Sequence, residues 1–241
     1  MLILLWNVLS QVLLPIVVMF MIGWLLDRRS RLDLGTLVKL NIYLVVPAFI
    51  FHEVVRAEIS SALALRVVGF TLCIVLAMFL LSIAVAKFRG YSLEHTRALQ
   101  LATMFYNSGN YGVPLMTLAF PGLGPMLQVF VVLTQNVCTF TVGLLLASSA
   151  QNPGWRVLLP MLRQVSLWAV FTALLVRHFG IPVQEWRWFW VPIDYFHSAL
   201  VGVALLTLGV QLSQAKAREH LSRLSWALML RLVAGPCVAW A

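Results

Sequence analysis

A chain of 241 residues that is 61% hydrophobic and only 10% charged, with a mean hydropathy of +0.93, cannot build a water-facing surface, because soluble domains carry about 25% charged residues. A soluble globular enzyme and a disordered chain are excluded, and the composition reads as an all-α polytopic membrane protein. The net charge of +9 sits in short clusters between apolar runs, as membrane topology requires, so nucleic acid is not an expected partner.

A bilayer core takes about 20 apolar residues per helix. Residues 2–26 are free of charge and give the first span. No basic residue precedes them and the run is too long for a signal-peptide core, so the span is expected to stay in the mature protein. The second, residues 34–54, is weaker: only 40–51 is uncharged, so Lys39 is expected to snorkel at one end and His52-Glu53 to cap the other. The third covers 67–86. From Ala98 to Trp155 there is no charged side chain, and Pro121-Gly122-Leu123-Gly124-Pro125 divides that stretch into a hairpin of spans 98–120 and 126–149. Asn152-Pro153-Gly154 makes the next turn. Spans six, seven and eight are expected over 157–176, 195–214 and 224–241. Residues 186–190, Trp-Arg-Trp-Phe-Trp, read as an interfacial belt in the loop before span seven.

Twelve Lys and Arg residues follow spans one, three, five and seven, against three after spans two, four and six. This bias predicts an N-terminus on the outside. Eight crossings would return the C-terminus there too. Cys73, Cys138 and Cys237 lie in apolar runs without metal-ligand spacing and read as small core residues, so neither a disulfide nor a metal site is indicated.

Polar groups inside spans are costly and point to packing or function. The densest cluster is Tyr106-Asn107-Ser108-Gly109-Asn110-Tyr111-Gly112-Val113-Pro114 in span four. Pro114 cannot donate a backbone bond and the glycines add freedom, so a half-helix is expected to end near Asn107 and another to begin near Val113. Such a break offers N–H groups and the positive end of a helix dipole to an anion. The competing reading is a kinked packing helix with amides bonding a neighbour. Asn41, before Pro47 in span two, could face the same cavity or bond across helices. Gln135-Asn136 in span five leans towards packing. Arg231 in span eight reads as snorkelling, or else as neutralising an anion, and His197 as interfacial.

Enzyme signatures are missing, and no cofactor is expected. His52-Glu53-Val54-Val55-Arg56 begins like a zinc-binding helix, but the second histidine is absent. There is no Gly-x-Ser-x-Gly and no glycine-rich phosphate loop.

The run Asn107-Ser108-Gly109-Asn110-Tyr111-Gly112-Val113-Pro114 resembles the crossover-helix motif of the auxin efflux carrier family. Residues 43–51, Tyr-Leu-Val-Val-Pro-Ala-Phe-Ile-Phe, are similar to that family's second helix. Residues 205–212 resemble its seventh and 230–237 its eighth, in the right order along essentially the whole chain. The resemblance implies ten helices in two inverted repeats of five, with helices four and nine broken and crossing at the substrate site. Members move organic anions, including auxins in plants and malate- or malonate-like acids in bacteria. Residues 1–150 then form the first repeat. Residues 151–241 form three helices of the second, so a chain lacking the last two helices is expected.

The function expected from these residues is a secondary permease for small organic anions, working by alternating access in a bacterial inner membrane. Asn107, Gly109, Asn110, Gly112, Val113 and Pro114 would make the substrate site, with Asn41 lining it. A non-transporting membrane subunit or receptor derived from a carrier is the alternative. The expected partners are the anion and the bilayer, with a homo-oligomer left open.

Overall fold

The computed structural model describes residues 6, 9–56, 60–147, 163–215 and 221–240, and within them the chain is helical with no strand. Apolar side chains in lipid force this outcome, because a helix satisfies its own backbone hydrogen bonds. Helix α1 runs Leu9–Ser30, α2 Leu34–Arg56 and α3 Ser61–Arg89. Helix α4 comes in two halves, α4a (Leu93–Met104) and α4b (residues 108–119). Then follow α5 (Leu123–Ala147), α6 (Val165–His178), α7 (Arg187–Gln214) and α8 (residues 221–240). Five of these, α1, α2, α3, α5 and α7, are long and apolar enough to cross a bilayer unaided. The described parts of α6 and α8 are shorter apolar helices. The predicted starts of the first and sixth spans, and the Asn152-Pro153-Gly154 turn, lie outside the described residues.

Two expectations are corrected at helix ends. His52 and Glu53 do not cap α2: the helix continues to Arg56, and His52 is buried. Its end is held instead by Arg177 of α6, whose guanidinium donates to the Val54 carbonyl at 3.2 Å. The aromatic belt is not wholly in a loop either. Arg187–Trp190 form the first turn of α7, with the Trp186 and Trp188 rings stacked 6.4 Å apart. The other end of α2 follows its sequence, for Asp33 is an N-cap accepting from the backbone N–H of Gly35 and Thr36.

A widened turn, with backbone bonds reaching back five residues, recurs at 9–13, 41–45, 108–112, 139–143 and 230–234. Four of the five end two residues before a proline: Pro15, Pro47, Pro114 and Pro236. The physical cause is the proline ring, which cannot donate and collides with the carbonyl four residues back, so the turn before it opens.

The chain forms two compact units. The first comprises residues 1–59, 107–132 and 164–215. Within it α1 packs on α7, and α2 packs on α6 and α7. The α1–α7 crossing is close: a Cβ on Gly23 would strike the Leu206 carbonyl, and one on Gly209 would strike the Phe20 carbonyl and lie 2.9 Å from the Trp24 nitrogen. Only glycine permits that approach. Val12, Ile16 and Leu205 make the local core, and Leu115, Leu118 and Ala119 of α4b pack against it. The Asp27 carboxylate ties the far end of the crossing, accepting from the Leu32 N–H at 3.1 Å and from Gln214 Nε2 at 2.9 Å.

The second unit comprises residues 60–106, 133–163 and 216–241. Val75 and Met78 of α3, Leu99 and Met104 of α4a, and Ala227 and Leu230 of α8 form its core.

Candidate functional site

The break in span four forms where the sequence puts it, but its edges differ from the expected ones. The first half-helix ends at Met104 rather than near Asn107, and the second begins at Ser108 rather than near Val113. Asn107 explains the shift. Its backbone leaves helical geometry at φ −75°, ψ 71°, and its side-chain oxygen accepts from the Asn110 N–H at 2.9 Å. An asparagine that caps in this way starts a helix and does not end one. The new helix opens with a widened turn, in which the Gly112 N–H donates to the Asn107 carbonyl at 3.1 Å.

A second widened turn, in α2, meets this one. The Val46 N–H reaches back to the Asn41 carbonyl, so the turn over Asn41–Val45 swells and presents Asn41 sideways. Asn41 is fully buried, and its Nδ2 donates to Asn110 Oδ1 at 2.7 Å. Its own Oδ1 is buried without a hydrogen-bond partner, which is unusual enough to ask for a ligand or water there. Two prolines thus distort two helices so that a pair of amides can face each other.

The predicted site residues divide by role. Asn41 and Asn110 come together, and Asn107 is exposed and caps the half-helix. Gly109 has open space where a side chain would stand, whereas Gly112 does not: a Cβ there would strike Gln128 Nε2. Val113 and Pro114 are buried and act in packing. Gln128 went unnoticed in the sequence. It is 6% exposed, and its Nε2 donates to the Ser108 carbonyl at 2.8 Å, pinning the widened turn. The signal available was a lone amide in an otherwise apolar stretch of α5.

No charged side chain lies in the stretch that forms the break. The first N–H groups of a helix have no intrahelical partner; here Asn107 takes the Asn110 N–H with its side chain and the Tyr111 and Gly112 N–H groups with its carbonyl, and among the described residues no such bond is made by those of Ser108 and Gly109. What remains is a set of backbone donors, amide dipoles and the positive end of α4b, an arrangement suited to a small anion.

Elsewhere the polar residues have other employment. Arg231 does not simply snorkel: its Nε donates to the Ala102 carbonyl at 2.9 Å and its guanidinium lies 5.3 Å from the Tyr106 ring centre. A cation on the last carbonyls of α4a completes that helix end. Gln135 is fully buried. His197 is not merely interfacial, because its Nε2 meets Glu53 Oε1 at 2.8 Å across 144 residues of sequence.

These features define a polytopic helical membrane protein with a discontinuous, polar-lined helix, a feature that membrane carriers use. Residues 8–154 match the family described as "Membrane transport protein", and the chain belongs to that family, the one that includes the auxin efflux carriers. It is also 24% identical over 235 residues to a protein of Methanothermobacter thermautotrophicus (strain Delta H) named "Uncharacterized transporter", an alignment covering 95% of this chain and 76% of that protein. The chain is accordingly a membrane transporter.

Proposed function

We propose that the protein is a secondary permease for small organic anions, carboxylates foremost, working by alternating access in the inner membrane with its N-terminus outside. The observation that carries this reading is the Asn41–Asn110 hydrogen bond joining two proline-widened turns beside the free end of α4b. The carboxylate would be held by the side chains of Asn107 and Asn110 and the backbone N–H of Gly109, with Gly112 and Val113 shaping the turn, Asn41 lining the cavity and Pro114 fixing the start of the regular half-helix. Neutral amides suit a carrier, because a fixed lysine or arginine would hold the anion too tightly to release it. The basic residues that follow the odd-numbered spans support the orientation.

The division into an inverted pair of repeats, 1–150 and 151–241, belongs to the same proposal. An odd five-helix repeat makes span six begin on the side opposite to span one. Packing supports it. If α6 and α7 are the counterparts of α1 and α2, the pairing of α1 with α7 becomes, under that exchange, the pairing of α6 with α2, and both are present in the first unit. In the second unit α3 packs on α8, its own counterpart.

The test is counterflow of a labelled dicarboxylate in proteoliposomes. Asn110→Ala is expected to bring flux to background while the protein still inserts and purifies normally. Unchanged flux in that variant would remove the proposed site. Binding without counterflow in the unaltered protein would favour the non-transporting subunit.

A further inference from the structure

The last turns of α2 hold a polar cluster that the transport reading does not use. His52 is 3% exposed, yet neither ring nitrogen makes a hydrogen bond. Carboxylates stand at ion-pair distance from both positions, outside hydrogen-bond geometry. Glu53 Oε1 lies 3.6 Å from His52 Nδ1 and 2.8 Å from His197 Nε2. On the far side of the ring, Asp194 Oδ1 stands 3.3 Å from His52 Nε2. All these residues belong to one compact unit.

The surroundings fix both rings. The His52 and His197 rings are 3.9 Å apart at their centres and inclined by 28°. Trp190 stacks on His52 at 5.0 Å and Phe49 on His197 at 5.2 Å. Arg177, the neighbouring cation on α6, is occupied with the Val54 carbonyl.

We propose that His52, Glu53 and His197 form a binding site for a divalent transition metal of the zinc type, fastening α2 to α7. One donor atom from each residue lies within 4.8 Å of the others. Donors at about 2.0–2.1 Å from a tetrahedral ion stand roughly 3.3 Å from one another, and the two measured separations, 3.6 and 2.8 Å, bracket that value. Two nitrogens and one carboxylate oxygen select zinc over magnesium or calcium, which prefer oxygen throughout. Asp194 supplies the outer carboxylate that orients a ligating histidine through its second nitrogen, here with Nδ1 on the metal and Nε2–H towards Asp194. Three protein ligands leave the fourth position to water.

The experiment uses the full chain, purified in detergent and stripped with chelator. After incubation with Zn²⁺ and desalting, elemental analysis is expected to find about one zinc per chain, and thermal unfolding should move up by roughly 5–10 °C at a hundredfold excess over Kd. Mg²⁺ should do neither. His197→Gln and Glu53→Gln, made separately, are each expected to lose the retained zinc while keeping the unfolding temperature of the stripped protein. Equal zinc retention in both variants and the unaltered chain would overturn the proposal, as would no retention in the unaltered chain. If a variant does not fold, Co²⁺ bound to the unaltered protein decides: intense tetrahedral visible bands that Zn²⁺ displaces support the site, and the weak bands of octahedral cobalt overturn it.

Discussion

Helix α2 carries two polar spots, Asn41 and the His52-Glu53 pair, eleven residues or about 16 Å apart along the axis, and they are built on opposite principles. At Asn41 every group is neutral, the geometry is produced by prolines, and the partner, Asn110, lies in a motif visible in a single stretch of sequence. At His52 every group is titratable and the geometry is held by stacked rings. The partners His197 and Asp194 come from a helix 144 residues away. The contrast separates two tasks. Under the proposed function, the place that binds and releases an anion is made from dipoles, whose attraction is moderate. A place that holds two helices together can use charge, because nothing needs to leave it.

Substitutions can break this contrast. Beyond Asn110→Ala, the largest effect is expected from Gly112→Val, whose side chain would displace Gln128 Nε2 from the Ser108 carbonyl. Proteoliposome flux should fall to background, with zinc retention at the His52 cluster unchanged. Normal flux would uncouple the widened turn from transport. Asn41→Ala removes the bond to Asn110 and should raise the transport KM by about tenfold, the scale of one lost buried hydrogen bond. A change in zinc retention instead of KM would show that the two spots are not independent.

Smaller effects follow away from both. Arg177→Met frees the Val54 carbonyl at the end of α2 and should lower the unfolding temperature by a few degrees, more in the stripped protein than in the zinc-loaded one. The smallest change is expected at Asp33. The Thr36 hydroxyl and the Thr36 and Gly35 N–H groups hold its carboxyl below the usual range. A lowered carboxyl stabilises the fold above its unfolded value and loses that contribution as pH falls through the folded one, so Asp33→Asn should give up a small amount of thermal stability at neutral pH and flatten its further loss below about pH 4.

Hydropathy and punctuation made the helix order legible, including the divided span and the hairpin at 121–125, because a bilayer leaves few ways to arrange apolar runs. The edges of the break do not follow from Pro114, its most conspicuous residue, because the boundary is decided by Asn107, three positions beyond the end of α4a. The truncated zinc-like motif at His52 was legible but looked incomplete. In the proposed site the second histidine is His197 of α7, which only the packing of α2 against α7 brings near. Local patterns show what a helix does to itself, and they are silent about what a distant helix brings.

The widened turn at 41–45 has one more consequence. Such a turn holds one residue more than a regular turn, and one residue is worth about 100° of rotation about a helix axis. Asn41 lies at its start, and His52 and Glu53 lie beyond it. The extra residue is therefore a phase setting between the two ends of one rod, aiming the first at α4b and the second at α7. Were this turn to wind regularly with every residue kept, one end would swing by about that angle away from its partner, so the helix would keep its hydropathy and lose its aim.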